Sequence, residues 1–243
     1  MKHLLYGIAR AEAAARARLP VGLDEAPLSA VEHGELAAIL APVEEPREAS
    51  AGIEHAVQFA RVVEQLHRRL PILPMRYGCF VLQPAQAAEL LREHAAQFSE
   101  ALDLVAGREE MGIRLLIERE HTRAEATSPS PTVSSGRAYL AARQSFYAQQ
   151  ARSQERAQQL AEEARTAFNG LFTRFTWEHV PRPEGDMVSL AFLVEREKVA
   201  EFRRAFLRFQ HERQPRAMCS GPWPPWGFVT ATELEHLLAR KKG

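Results

Sequence analysis

The apolar residues of the chain fall into short blocks whose spacing changes from two to about 3.6 and back again. "HLLYGIA" (residues 3–9) is a compact apolar run bounded by charge and predicts a buried strand. "LSAVEHGELAAILAPV" (28–43) predicts two short strands turning at His33-Gly34. Between Ile53 and Leu70 the apolar positions are 53, 56, 59, 60, 63, 66 and 70, a helical period that ends before Pro71. "ILPMRYGCFVL" (72–82) predicts a strand interrupted by Pro74. A second amphipathic helix is expected from Pro84 to Val105, with proline at its start and Gly107 just past its end. "MGIRLLIER" (111–119) predicts a further strand. The order β, β-β, α, β, α, β fits helices covering one face of a mostly antiparallel sheet, an α+β domain over residues 1–120.

Residues 121–136, "HTRAEATSPSPTVSSG", hold no large apolar residue except Val133 and read as a linker at a domain boundary. From Gly136 to Asn169 the chain has no proline or further glycine and is rich in Ala, Gln, Arg and Glu. It predicts one helix on the order of 50 Å long at 1.5 Å per residue. Apolar side chains mark only its two ends, so its middle is expected to be solvated. "LFTRFTWEHV" and "DMVSLAFLVE" predict strands, and Val199–Gln210 predicts a helix. "RAMCSGPWPPWGFV" follows as a proline-broken edge strand, and "TATELEHLLARKKG" as a short terminal helix. Residues 137–243 therefore read as a second small α+β domain with a long helix laid across it.

Composition narrows the function classes. The chain has 243 residues, 46% hydrophobic and 26% charged, and a formal net charge of zero, so it has no global pull toward nucleic acid or an anionic membrane. The charge is unevenly spread: residues 1–120 carry 18 acidic and 13 basic side chains, and residues 121–243 carry 13 and 18. Such asymmetry favours docking of the halves or head-to-tail contact between copies. Cys79 and Cys219 stand 140 positions apart in no paired motif, which argues against a disulfide framework or zinc cluster and for a reducing cytoplasm. No apolar stretch approaches the ~20 residues of a membrane span.

Catalytic signatures are missing: no phosphate-binding loop, dinucleotide fingerprint, nucleophile elbow or Cys-x-x-Cys occurs. The nine histidines are scattered, and no metal or other cofactor is expected. "EHGE" brings Glu32, His33 and Glu35 together, but alternate residues of a hairpin face opposite ways. Arg76, inside a strand that reads as buried, needs an anionic partner, and Glu109 or Glu110 is the expected one; a binding role is the alternative. "EFRRAFLRFQHER" interleaves Arg with Phe, but on a helix Phe202, Phe206 and Phe209 share a core face and Arg203, Arg204 and Arg208 a solvated one. The aromatic pattern of an RNA-recognition sheet is absent, and nucleic acid is not expected as a partner.

The most unusual stretch is "SGPWPPWGFV" (220–229). With "LLYGIA" (4–9), "VGLDEAPLSAVEHGELAAILAPV" (21–43), "ILPMRYGCF" (72–80), "GREEMGIRLLI" (107–117) and "GRAYLAARQ" (136–144), it resembles the gas vesicle protein F/L family, in order and over nearly the whole chain. A tyrosine is common in that family where Trp226 stands here. The resemblance implies a two-domain accessory protein of the gas vesicle, with an N-terminal α+β domain, a C-terminal domain related to the ferredoxin-like fold, and no enzymatic activity. It implies contacts with the major shell protein and other accessory proteins during vesicle formation.

Within that frame Trp223, Pro224, Pro225 and Trp226 are the candidate interaction or structural residues. The prolines fix φ and remove donors, and each indole brings about 150–250 Å² of buriable surface. The segment reads either as a lock between sheet and long helix, in which Trp223 contributes to stability, or as a partner-binding surface. Two other functions remain to be weighed: an RNA-binding module, and an enzyme with a site around His33, Cys79 or Arg76.

Overall fold

The computed structural model describes residues 2–43, 51–117, 136–182, 185–212 and 216–229. The chain forms two compact units, Met1–Glu110 together with Gly221–Gly243, and Met111–Ser220. Each is built on its own sheet, and the fold class is α+β.

In the first unit β1 (Lys2–Arg10) is central, with β3 (Leu36–Val43) antiparallel on one side and β4 (Ile72–Pro74) and β5 (Phe80–Val81) antiparallel on the other. β2 (Ser29–His33) pairs with β3 through a two-residue hairpin loop, Gly34-Glu35, with Gly34 at φ 58. A short helix α1 (Ala11–Arg16) follows β1 directly.

Helices cover both faces of this sheet, not the single face that the sequence pattern suggests. α2 (Ala51–His67) buries Phe59, Val62, Val63 and Leu66 on Leu4, Tyr6, Ala9, Ile39 and Ala41. α3 (Pro84–Glu93) and α4 (Ala95–Val105) bury Leu90, Leu91, Phe98 and Leu102 on Leu5, Ile8, Leu36, Ala38 and Leu40. Two-sided burial is why "LLYGIA" and "LAAILA" read as unbroken apolar runs, where a half-exposed strand would alternate. A register shift between Leu5 and Gly7 puts Leu5 and Ile8 on one face although they are three residues apart. Gly7 is required there: a Cβ would lie 2.5 Å from Ile72 Cδ1 and 2.7 Å from the Leu73 carbonyl oxygen.

The expected helix over 84–105 is two helices broken at His94 (φ −120, ψ 22). No proline or glycine marks the break. Gln83 and Gln86 cap the first helix reciprocally, and Gln97 lies 3.0 Å from His94 Nδ1 just after the break.

The second unit runs β6 (Arg108–Ile117), α5 (Gly136–Ala167), β7 (Arg174–Val180), β8 (Asp186–Glu195), α6 (Val199–Glu212), β9 (Ala217–Trp223), with strand order β7-β8-β6-β9. Alternate residues of β6 (Met111, Ile113, Leu115) and β8 (Val188, Leu190, Phe192, Val194) meet Leu160, Ala161 and Ala164 of α5, Phe168 just past its end, and Phe202, Phe206 and Phe209 of α6. Phe168 stacks on Phe202 with centroids 4.6 Å apart, and both touch Phe192 at 5.2 Å. The helical face predicted for Phe202, Phe206 and Phe209 is the buried one.

The units do not divide where composition places the boundary. β6 lies between β8 and β9, so the strand before residues 121–136 and the helix after them belong to the same unit. The linker reading itself lies outside the described residues, as does the terminal helix expected from Thr230 onward. After Ser220 the chain returns to the first unit.

Candidate functional site

The last described stretch, Gly221–Val229, is a strap sealed onto the first unit. Pro222, lacking an amide hydrogen, and Trp223 close the edge strand β9; Gly221 has φ 104 and the Gly221–Pro222 peptide is cis. Pro224 and Pro225 are buried. A single 3-10 turn, Trp226–Phe228, follows, in which Trp226 N–H donates to the Pro224 carbonyl at 2.7 Å. Gly227 N–H donates to Glu110 Oε2 at 2.6 Å, and Val229 is buried against the cluster of β1, β3, α3 and α4.

Trp226 sits half-buried in the other cluster, its ring centroid 6.4 Å from that of Phe59. Phe59 in turn stacks on Tyr6 at 4.8 Å and meets Tyr77 at 5.6 Å. Within four residues the strap thus touches the apolar layers on both faces of the sheet. Through Trp226 it packs on Phe59 of α2. The two tryptophans also differ: Trp223 is 41% exposed, so the anchoring ring is Trp226.

Glu109 and Glu110 leave β6 on opposite sides. Glu109 is buried with its Oε2 2.7 Å from His67 Nε2 near the end of α2, and among the described residues His67 Nδ1 has no hydrogen-bond partner. Glu110 holds the strap. Burial pushes the Glu110 carboxyl up from its ordinary pKa, with the Gly227 N–H acting the other way. The sequence named these two carboxylates only as partners for Arg76. Arg76 itself stands exposed in the turn after β4 and is not buried within a strand.

The residues weighed for catalysis lie in different settings. His33 is exposed at the hairpin end of β2, and Cys79 packs half-buried on the aliphatic cluster. A polar cluster that the sequence did not flag occurs in the second unit. Ser153 on α5 donates to Asp186 Oδ2; His179 Nε2 lies 3.2 Å from the same oxygen and 3.3 Å from Ser153 Oγ; and His179 Nδ1 lies 2.7 Å from Gln154 Oε1. Serine and aspartate sit at one ring nitrogen, whereas a nucleophilic relay needs them at opposite nitrogens. The cluster ties α5 to the β7–β8 hairpin. Its members come from two neighbouring helix positions and two strand ends, a grouping without a sequence motif.

Among the described residues, no group of three or more His, Cys, Asp or Glu is placed to hold a metal ion, and no helix is long and apolar enough to cross a membrane.

The fold of the chain is shared with gas vesicle F-type proteins of known structure. The crystal structure of the gas vesicle protein GvpF from Anabaena sp. PCC7120 matches with TM-score 0.70 and 19% identity, over 94% of this chain and 96% of that one. That of GvpF from Microcystis aeruginosa matches with TM-score 0.69 and 16% identity, over 94% and 99%. No curated protein sequence matches the chain. The family described as "Gas vesicle synthesis protein GvpL/GvpF" matches residues 2–230, and the chain belongs to it. Its role is accordingly one related to gas vesicles.

Proposed function

We propose that this protein is a non-enzymatic assembly factor and minor structural component of the gas vesicle, cytoplasmic and associated with the vesicle. Its partners are the major shell protein and other accessory proteins; nucleic acid, lipid membrane and cofactors are not among its ligands. The observation carrying this reading is the family match across residues 2–230. The strap supports it physically, because prolines and a ring lodged against Phe59 make a stiff scaffold that keeps its shape when other chains bind. On its element order, β-α-β-β-α-β, we read the second unit as ferredoxin-like.

The main contact is with the shell subunit, through apolar and amphipathic surfaces that shield it before assembly. Co-expression tests the reading: shell protein and this chain should co-purify, and vesicles should be lost when the chain is omitted. Vesicles of normal number and shape from a clean deletion would reject it.

A further inference from the structure

We propose that Asp24, Tyr77 and Trp226 form a binding site for a cationic side chain, the guanidinium or ammonium group of an Arg or Lys on a partner protein. Only the partner's identity rests on the assembly reading above; the chemistry of the site does not.

Four separate stretches of the first unit converge here. The 3-10 turn Leu23–Glu25 brings Asp24, α2 brings His55 and Phe59, the turn between β4 and β5 brings Tyr77, and the strap brings Trp226. Tyr77 and Trp226 lean on the same buried Phe59 ring, at 5.6 Å and 56° and at 6.4 Å and 46°. Both residues remain half-buried. Asp24 follows Leu23, which packs in the same apolar cluster as Phe59, Tyr77 and Trp226, and its charge adds to burial in raising the pKa of the Tyr77 phenol. His55 Nε2 approaches Asp24 Oδ1 at 3.6 Å, yet the Asp24 side chain is 72% exposed and has room for a second partner.

The backbone beneath it is unusual. Asp24 (φ 50, ψ 37) and Glu25 (φ 59) are consecutive left-handed residues, a conformation that side chains other than glycine's rarely adopt. Tyr6 holds the turn by accepting from Leu23 N–H at 2.9 Å, and Gly22 N–H donates to the Ala26 carbonyl at 2.9 Å. Glycine at position 24 would make the same turn with less strain. What it would not supply is a carboxylate beside the Phe59 cluster.

Ring faces and a carboxylate attract the same ligand, a cation. Guanidinium is the best match, because it stacks flat on an aromatic face while its N–H groups reach a carboxylate. A divalent metal ion fits poorly, since hard cations take six or more oxygen ligands and the rings supply none.

The test is a titration of the purified full chain with N-acetyl-arginine amide, followed by NMR of the ligand, with N-acetyl-citrulline amide as the neutral isostere. The arginine side-chain methylenes should move upfield in the ring currents, and citrulline should not respond. Asp24→Asn, at an exposed position, should weaken binding several-fold, as expected for loss of one charge beside a cation. Tyr77→Leu should shrink the upfield shift, and Glu100→Gln, an exposed carboxylate on α4, should change nothing. Equal response to citrulline, or arginine binding indifferent to Asp24→Asn, would overturn the proposal. No vesicle enters the experiment, so failure of the assembly reading leaves this result standing, and the reverse also holds.

Discussion

The indole of Trp226 meets the ring of Phe59 across 167 positions of sequence, with centroids 6.4 Å apart and planes at 46°. This contact, with the bond from Gly227 N–H to Glu110, closes the C-terminal strap on the N-terminal sheet.

Trp226→Ala should therefore destabilise the protein by about 2–3 kcal/mol, the range for truncating a partly buried aromatic. Trp223→Ala should cost under about 1 kcal/mol, since its ring is largely in water. Denaturant midpoints of the two variants give the comparison. The reverse ranking would move the anchor to Trp223.

Glu110 sets a pH dependence. Its folded pKa is raised by burial, so its stabilising contribution is full below the ordinary carboxylate range and is lost as pH rises through the raised folded value. Glu110→Gln keeps an oxygen for Gly227 N–H and removes the half-buried charge. The variant should be at least as stable as the wild type at pH 7, with a flatter stability profile from pH ~4.5 upward. A variant clearly less stable at pH 7 and equal at pH 4 would show that the ionised form is the favoured one.

Gly7→Ala places a methyl group against Ile72 and the Leu73 carbonyl and should cost at least about 1–3 kcal/mol, because the backbone oxygen cannot move aside cheaply. Gly34→Ala meets nothing within 4 Å among the described residues and should cost only the strain of φ 58, about 1 kcal/mol. Thermal melts of the pair separate crowding from conformation.

Ser153→Ala leaves the buried Asp186 carboxylate without its hydroxyl donor and should cost about 1–3 kcal/mol. Amide exchange should quicken around residue 153 of α5, while the stretch around Ala164 and Phe168 stays protected by its aromatic packing. Uniform loss of protection along α5 would mean that the Ser153–His179–Asp186 cluster holds the whole helix.

Much of the site chemistry was legible one residue at a time and illegible in pairs. Trp223 and Trp226 look alike in "GPWPPW", yet one ring is exposed and the other lodged against Phe59; only the path of the strap distinguishes them. Glu109 and Glu110 were visible as candidate anions, but His67 and the Gly227 amide, their partners here, lie 42 and 117 positions away. Asp24 carried no signal, because the left-handed turn beneath it is imposed by Tyr6 and the sheet. The break at His94 was equally silent, since no proline or glycine marks it.

By itself the sequence determined the local elements: the strands of "HLLYGIA" and "DMVSLAFLVE", a hairpin turning at Gly34-Glu35, one residue later than the expected His33-Gly34, the helix ending before Pro71 and the Phe202–Phe209 stripe. All depend on the spacing of neighbouring residues and on glycine or proline at turns, which act over a few bonds. The tertiary structure alone decided which sheet receives β6, which face of the first sheet each helix covers, and where the strap closes. Those outcomes depend on burying apolar surface against partners far away in the chain, and many pairings satisfy the same local pattern until one of them fills the core.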